Sequence, residues 1–190
     1  MGRAPRADAA RNRERLLQVA SEAFARDGVE ASLERIAKDT GVGVGTLYRH
    51  FPNRDALMEA VYRHNLDQLI GDADELLQTK PPVEALGEWV QRFPAYVATK
   101  KGLATHLKTV ISADSDLFTS TQEKLRSTMT RMLDAAAADG SIRSDVDPGD
   151  VIRALAGVCM TGDMSTSPDQ TGRLAGLLMN GLRYGAPAAG

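Results

Sequence analysis

The chain has 190 residues and a net charge of −2, so it is not a polycation that binds nucleic acid by bulk charge alone. Aromatic residues make up only 5% of it, and Ala, Leu, Arg, Glu and Met are plentiful, which predicts an all-α protein. One cysteine, Cys159, and no apolar run of ~20 residues exclude a disulfide framework, a multi-cysteine metal site and a membrane-spanning helix. We therefore expect a cytoplasmic protein without a metal, a cofactor or a membrane partner.

Basic residues are concentrated at the start of the chain. Residues 1–54 carry ten Lys and Arg against seven Asp and Glu, whereas the remainder is acidic. This asymmetry is typical of a phosphate-binding surface and equally of a solvated charged tail. Residues 1–10 are expected to form a flexible basic arm. Two predictions stay open for the arginines in and next to this arm: they enter the minor groove of DNA, or they stay in solvent as part of a disordered tail. These arginines are Arg3, Arg6, Arg11 and Arg13.

Apolar spacing and capping residues predict the first two helices. Between Arg11 and Arg26, apolar residues recur every three or four positions, as on one face of a helix. They are Leu16, Leu17, Ala20, Ala23 and Phe24. Gly28 suits a left-handed helix end, Ser32 can cap a second helix, and Gly41 ends that helix after about two turns. The inward residues of the second helix are Leu33, Ile36 and Ala37.

A third short helix must end near Phe51, because Pro52 disfavours helical geometry in the residue before it. Two short helices around a glycine turn form the helix-turn-helix motif, which presents its second helix to the major groove of DNA. Small residues at its tip let the backbone approach the duplex, and donors at its edges hold phosphates. The small residues are Gly43, Gly45 and Thr46, and the donors are Tyr48, Arg49, His50 and Arg54.

The stretch SLERIAKDTGVGVGTLYRHFPNRDAL, residues 32–57, resembles the DNA-binding domain of the TetR family of regulators. The resemblance covers roughly residues 11–60 and rests on the Ile-Ala pair, the glycine turn and the run Gly-Thr-Leu-Tyr-Arg-His-Phe. It implies that Val44, Gly45 and Thr46 face base edges.

The same resemblance implies a set of phosphate contacts. They are made by Tyr48, His50 and Arg54, with Ser32 or Thr40 as further backbone contacts. Arg54 stands where the family often has lysine. Leu47 and Phe51 are instead expected to pack inside the small domain, since large apolar residues are usually buried.

The remaining residues predict a second helical domain. Asn53 caps a long helix that ends near Leu77, and a loop follows at Lys80-Pro81-Pro82. Later helices cover residues 83–100 with an interruption or kink at Pro94, a stretch from Gly102, residues 117–138, a stretch from Pro148 and a stretch after Pro168. The total is about nine helices. The predicted domains are a helix-turn-helix domain over 11–54 with the start of the connecting helix, a ligand-binding and dimerisation domain over 55–185 and a disordered tail over 186–190.

The last two predicted helices are rich in apolar and small residues. Helix-turn-helix proteins of this size bind palindromes as symmetric dimers, and the resemblance implies that these helices form the seam of a homodimer. The candidate interface residues are Val151, Ile152, Leu155, Val158, Cys159, Leu174, Leu177, Leu178 and Leu182. Burial inside one protomer is the alternative, but apolar residues around the whole helix favour an interface.

A pocket for a small-molecule effector is expected among the middle helices. Its candidate lining residues are Trp89, Phe93, Tyr96, His106, Thr109, Met129 and Met132. Aromatic and methionine residues at helical spacing are more often plain core, and that alternative stays open. A ligand bound there would favour a conformer in which the long helix after Asn53 moves the two DNA-reading helices out of register.

The sequence therefore predicts a ligand-responsive repressor that binds a double-stranded operator as a dimer and is released by an effector. An enzyme is not expected, because three scattered histidines and one cysteine form no catalytic motif and no loop is built to cradle phosphate. The alternative is a helical small-molecule-binding or adaptor protein without operator binding. That alternative predicts weak, salt-insensitive association with DNA.

Overall fold

Helices account for all the regular structure in the computed structural model, which describes residues 4–104, 116–161 and 168–184. In these ranges the helices are α1 Ala4–Asp27, α2 Leu33–Thr40, α3 Val44–His50, α4 Arg54–Thr79, α5 Pro82–Gly102, α6 Asp116–Ala138, α7 Pro148–Thr161 and α8 Pro168–Arg183. A 3₁₀ turn, Gly28–Glu30, links α1 to α2. The prediction of an all-α protein is confirmed. The ninth predicted helix, from Gly102, and the predicted tail, 186–190, fall mostly or wholly outside the described residues.

Capping residues set several of the helix ends. The Ser32 hydroxyl accepts a hydrogen bond from the Arg35 backbone N–H at 3.2 Å and caps α2. Asn53 caps α4 in the same way, because its Oδ1 accepts from the Ala56 N–H at 2.8 Å. Proline is the first residue of α5, α7 and α8, where its missing N–H leaves no bond unmade. These ends follow from local sequence alone.

Two helices differ from their predicted extent. α1 begins at Ala4, so residues 4–10 are helical where the sequence predicted an arm. They carry no apolar stripe and so no periodic signal, but their alanines have high intrinsic helix propensity. α5 continues through Pro94, so the helix is not interrupted there, and the predicted alternative, a kink, stays a prediction. Phe93 and Tyr96 are buried on either side, and their packing outweighs a proline penalty of ~3 kcal/mol.

Contacts between helices divide the described residues into two units. The first unit holds residues 4–65 and 98–104, and the second holds 66–97, 116–161 and 168–184. α4 and α5 each contribute residues to both units. The predicted boundary at residue 54 coincides with the start of α4, whereas the structural boundary falls inside that helix.

The first unit is built around the predicted stripe of α1. All five stripe residues are buried, α2 packs against α1, and α3 packs against α2. The inward residues predicted for α2 are buried as well. The first half of α4 adds Leu57, Met58, Val61 and Tyr62 to this core. The apolar pattern of the first unit is therefore confirmed.

The second unit has an aromatic core on α5. The Trp89 and Phe93 rings lie 5.5 Å apart, and the Phe93 and Tyr96 rings 5.9 Å apart. The Trp89 indole N–H donates to the Leu69 carbonyl at 2.8 Å, which satisfies the one polar atom of this buried side chain. α7 packs against both α6 and α8. No described helix combines the length and apolar character needed to cross a bilayer.

Candidate nucleic-acid interface

α2 and α3 form a helix-turn-helix pair whose turn depends on glycine. Gly41 has φ +78°, a left-handed conformation that glycine adopts without steric penalty. The N–H groups of Gly41 and Val42 donate to the carbonyls of Lys38 and Ala37, both at 3.0 Å. These bonds satisfy the last carbonyls of α2 and turn the chain directly into α3.

α3 has one buried side, and the rest of its surface faces outward. Leu47 is fully buried and Phe51, directly after the helix, is buried with it, so both packing predictions are confirmed. The other residues form what we call the α3 surface: Val44, Gly45, Thr46, Tyr48, Arg49 and His50. Tyr48 is 42% exposed, and the small residues before it are exposed or half-buried. The α3 surface thus combines small side chains with hydrogen-bond donors.

The glycines of this region serve different purposes. At Gly41 the positive φ explains the residue. At Gly43 and Gly45 φ is not positive, and an added Cβ atom would meet no described atom within 4 Å. Neither backbone strain nor packing within the described chain therefore requires glycine at these two positions.

Thr40 is a correction to the predicted phosphate contacts. Its side chain is buried, and its hydroxyl donates to the Ile36 carbonyl at 2.6 Å, one turn earlier in α2. A buried hydroxyl bonded in this way is not available to a phosphate oxygen. The sequence pattern could not show this, because threonine is compatible with both faces of a short helix.

Ser32 and Arg54 are engaged within the protein. The Ser32 hydroxyl donates to the Glu34 carboxylate at 2.9 Å in addition to capping α2. The Arg54 Nη1 donates to the carbonyls of Val29 and Ala31, at 2.6 Å and 2.7 Å. The backbone N–H of Glu34, the Ser32 hydroxyl and the Arg54 charge lower the pKa of the Glu34 carboxyl, since all three favour its ionised form. Ser32 and Arg54 are thus parts of the domain's frame.

Two arginines of the predicted arm region lie on exposed positions of α1. Arg11 and Arg13 are exposed, and the Arg13 guanidinium lies 5.4 Å from the centre of the Phe51 ring. This cation–π contact holds a positive charge beside the end of α3. Arg3 and the side chain of Arg6 lie outside the described residues.

A partly buried polar junction in the first unit has no signal in the sequence. The hydroxyls of Ser21 and Thr99 lie 3.1 Å apart, and the Asn65 amide donates to Ser21 at 2.7 Å. A Cβ atom on Gly102 would clash with the Phe24 carbonyl oxygen. The end of α5 therefore meets α1 backbone to backbone. Periodicity missed these residues because it assigns polar positions to the surface and a lone glycine to a helix end.

The predicted effector-lining residues fall in the core of the second unit. Trp89, Phe93, Tyr96, Met129 and Met132 are all buried. His106 and Thr109 lie outside the described residues. Burial alone fits a plain core as well as the wall of an internal cavity, so the pocket stays a prediction.

A groove of about 440 Å³ lies between α4 and α6 and uses different residues. Its lining is Asp67, Ile70, Glu123, Lys124, Ser127, Thr128 and Arg131. Ion pairs join its two helices, from Lys124 to Asp67 at 3.9 Å and from Arg131 to Asp74. Within the described ranges, no group of three or more His, Cys, Asp or Glu residues is arranged to hold a metal ion.

The predicted dimer residues divide into two groups. Val151, Leu155, Cys159 and Leu182 are buried within the protomer, which corrects their assignment to an interface. The outward group is Ile152, Val158, Leu174, Leu177 and Leu178, all half-buried or exposed. Periodicity missed the division because both faces of α7 and α8 carry apolar residues. Leu177 is 66% exposed and Met160, not predicted, is 58% exposed.

α3 packs on α2 through one side, follows the left-handed Gly41 and exposes small residues and hydrogen-bond donors. These features are typical of a helix-turn-helix DNA-binding domain. Residues 16–61 match the model of the bacterial regulatory proteins of the tetR family. Residues 81–184 match the C-terminal domain of SbtR-like transcriptional regulators. The chain belongs to the TetR family of transcriptional regulators, as the resemblance predicted, and is a regulator rather than an enzyme.

Solved structures extend the similarity over nearly the whole chain. The TetR transcriptional regulator SCO0520 from Streptomyces coelicolor is 41% identical, with a TM-score of 0.84 over 92% of this chain and 99% of that one. A TetR regulator from Mycobacterium vanbaalenii is 32% identical, with a TM-score of 0.75 over 94% and 98%. An HTH-type transcriptional regulator of Staphylococcus aureus is 46% identical over 66 residues. This match spans 34% of the present chain and 36% of that curated relative.

Proposed function

We propose that the protein is a repressor that binds a palindromic operator as a homodimer and is released when a small-molecule effector binds its second unit. The observation that supports operator binding is the open space over Gly43 and Gly45, next to the donors of the α3 surface.

Glycine at position 45 makes sense if an external surface comes close to α3. Glycine in the middle of a helix is less favourable than alanine by roughly 0.5–1 kcal/mol, and this is the upper bound for Gly45, which lies in the first turn of α3. A methyl group at Gly45 would meet no described atom within 4 Å. Packing within the described residues therefore does not compensate for the lower helix propensity of glycine. Close approach to DNA would explain the glycine, because without a side chain at position 45 the helix can enter a groove deeply enough for Val44 and Thr46 to reach base edges. Tyr48, Arg49 and His50 then lie at the edge, where phosphates run.

The α3 surface has few long side chains that could form bidentate bonds to bases. Its small residues favour apolar contacts with thymine methyl groups, together with sequence-dependent DNA shape. The exposed arginines of α1 can add phosphate or minor-groove contacts beside Phe51. We therefore expect moderate sequence discrimination through direct base contacts and a strong dependence of affinity on salt concentration.

The outward apolar residues of α7 and α8 support a dimer seam. Leu177 and Met160 are large apolar side chains that stay exposed in the single protomer, and Ile152, Leu174 and Leu178 are half-buried on the same pair of helices. Covering such a surface with a second copy removes it from water. A two-fold dimer then presents two α3 helices to half-sites about 34–36 Å apart.

The effector is proposed to bind in the second unit, where Trp89, Phe93, Tyr96, Met129 and Met132 supply apolar and aromatic surface. Outside the described residues, His106 and Thr109 remain candidate polar contacts. FadR from Bacillus subtilis, which shares only the fold at 18% identity and a TM-score of 0.60, has a structure in complex with stearoyl-CoA. That complex supports the proposal that a protein with this fold can bind a small molecule. Binding would shift α4 and separate the two α3 helices from their half-sites.

The Gly45→Ala variant tests the proposed DNA contact. Duplexes are first selected from random DNA with the wild-type protein, and the affinity of both proteins for the selected duplex is measured by fluorescence anisotropy. We expect the variant to bind at least about tenfold more weakly, because a methyl group blocks close approach. Its free energy of unfolding should be unchanged or higher by up to ~1 kcal/mol.

Gly71→Ala is the matched control. Gly71 is an exposed helical glycine in α4 whose added Cβ atom also meets no described atom within 4 Å. We expect the same small gain in stability and wild-type affinity for DNA. Full affinity in Gly45→Ala would contradict the proposed interface. Failure of the wild-type protein to enrich any sequence, with weak and salt-insensitive binding, would favour the adaptor alternative.

A further inference from the structure

We infer that Arg54 is a positioning residue that fixes the reading geometry of α3, and hence its sequence specificity, rather than a phosphate contact. The inference rests on the proposed operator binding and concerns how that binding becomes selective.

Arg54 connects the two ends of the helix-turn-helix segment. It is the first residue of α4, and its half-buried side chain reaches back to the connection between α1 and α2. One nitrogen, Nη1, donates to the carbonyls of Val29 at 2.6 Å and Ala31 at 2.7 Å. These two bonds use both hydrogens of that nitrogen. The chain between Ala31 and Arg54, which contains all of α2 and α3, is therefore closed into a loop by one side chain.

The same contact stabilises the start of α2. Ala31 directly precedes Ser32, whose hydroxyl caps α2 through the Arg35 N–H and donates to Glu34. The positive charge of Arg54 favours the ionised Glu34 carboxylate. We call this set, Val29, Ala31, Ser32, Glu34 and Arg54, the α2 clamp. It couples the beginning of α2 to the beginning of α4.

A closed loop affects specific and non-specific binding differently. Contacts with base edges discriminate only when the reading helix is held within about 0.5 Å of its productive position. Contacts with phosphates tolerate looser geometry, because charge attraction carries no sequence information. Opening the α2 clamp should therefore lower affinity for the preferred duplex much more than affinity for an arbitrary one.

The test compares Arg54→Met with Arg49→Met. Methionine keeps much of the length of arginine but has no donor, and Arg49 is an exposed arginine of the α3 surface. Affinities are measured for the duplex selected by the wild-type protein and for a scrambled duplex of equal composition, over a range of salt concentrations. For Arg54→Met we expect a loss of about tenfold or more on the selected duplex, at most about threefold on the scrambled one, and an unchanged salt slope. For Arg49→Met we expect equal losses on both and a slope reduced by about 0.9.

Two further measurements distinguish the loss of the α2 clamp from a general loss of folding. Arg54→Lys retains the charge, but its ammonium ends one bond short of the Nη1 position and so reaches the Val29 and Ala31 carbonyls less closely. We expect a loss of about threefold or more that is again confined to the selected duplex. Amide hydrogen exchange at Arg35 and Ile36 should be faster in both Arg54 variants. If Arg54→Met does not fold, the affinities of Arg54→Lys for the selected and scrambled duplexes provide the test.

Losses of equal size on both duplexes with a shallower salt slope would identify Arg54 as a phosphate contact and overturn the inference. Wild-type affinity on both duplexes in Arg54→Lys would overturn it as well. These outcomes leave the proposed function standing, provided that the wild-type protein enriches a sequence. A wild-type protein that enriches none overturns the proposed function first.

Discussion

The α3 surface and the α7–α8 pair place their apolar residues in opposite ways. In the helix-turn-helix segment, the large apolar residues Leu47 and Phe51 are buried, and what remains outside is small or polar. In α7 and α8, apolar residues occupy both faces, so that Leu155 is buried while Leu177 is 66% exposed. The first region leaves a surface suited to a polar, charged partner. The second leaves a surface suited to an apolar one.

This contrast shows that composition alone does not indicate what a helix binds. Both regions were predicted to bind partners, and in both the residues left exposed after packing carry the proposed contact. Three measurements test this contrast between the two regions.

The largest expected difference is between Leu47→Ala and Leu177→Ala. Leu47 is fully buried, so its truncation should lower the free energy of unfolding by about 2–5 kcal/mol in urea titrations of the whole protein. Leu177 is exposed, and its truncation should instead weaken the dimer by about tenfold in sedimentation equilibrium, with a stability change within about 0.5 kcal/mol at the protomer level. A Leu177→Ala protein with an unaltered dimer would break the contrast.

A smaller difference is expected between two exposed tyrosines. Tyr48→Ala should weaken binding to the selected duplex about tenfold while helicity and dimerisation stay intact, because a phosphate contact is lost. Tyr184→Ala removes the same side chain from a position that follows α8 and is more exposed than Tyr48. We expect wild-type DNA affinity for that control. Equal affinities for all three proteins would argue against Tyr48 as a contact.

The smallest effect concerns the thiol inside the α7–α8 pair. Burial raises the pKa of Cys159, because desolvation disfavours the thiolate. The unfolded chain therefore releases the thiol proton at a lower pH than the folded protein, and stability contributed by this group should fall as pH rises above the ordinary thiol pKa of about 8.5. Denaturant titrations between pH 7 and 10 should show a slightly steeper decline for the wild type than for Cys159→Ala. A steeper decline in Cys159→Ala would reverse the predicted sign.

Local sequence determined much of the first unit. The stripe of α1, the left-handed Gly28, the cap at Ser32, the end of α2 at Gly41 and the end of α3 before Pro52 all involve residues close in the chain, and each was predicted correctly. The α3 surface follows from the same reasoning, since Leu47 is the apolar residue that a helix of seven residues must bury.

Contacts between residues far apart in the chain account for the features that local sequence did not predict. Apolar periodicity could not separate the buried and outward residues of α7 and α8, because both faces of each helix are apolar. Nor could it show that the Thr40 hydroxyl turns inward, that the end of α5 packs on α1 at Gly102, or that Arg54 reaches back to Val29 and Ala31. A side chain can find its partner many residues away, and only the folded backbone brings the two together. Local sequence therefore specifies most of the helices, including the outward-facing α3 of this TetR regulator, whereas long-range contacts select the polar residues that hold α3 in place.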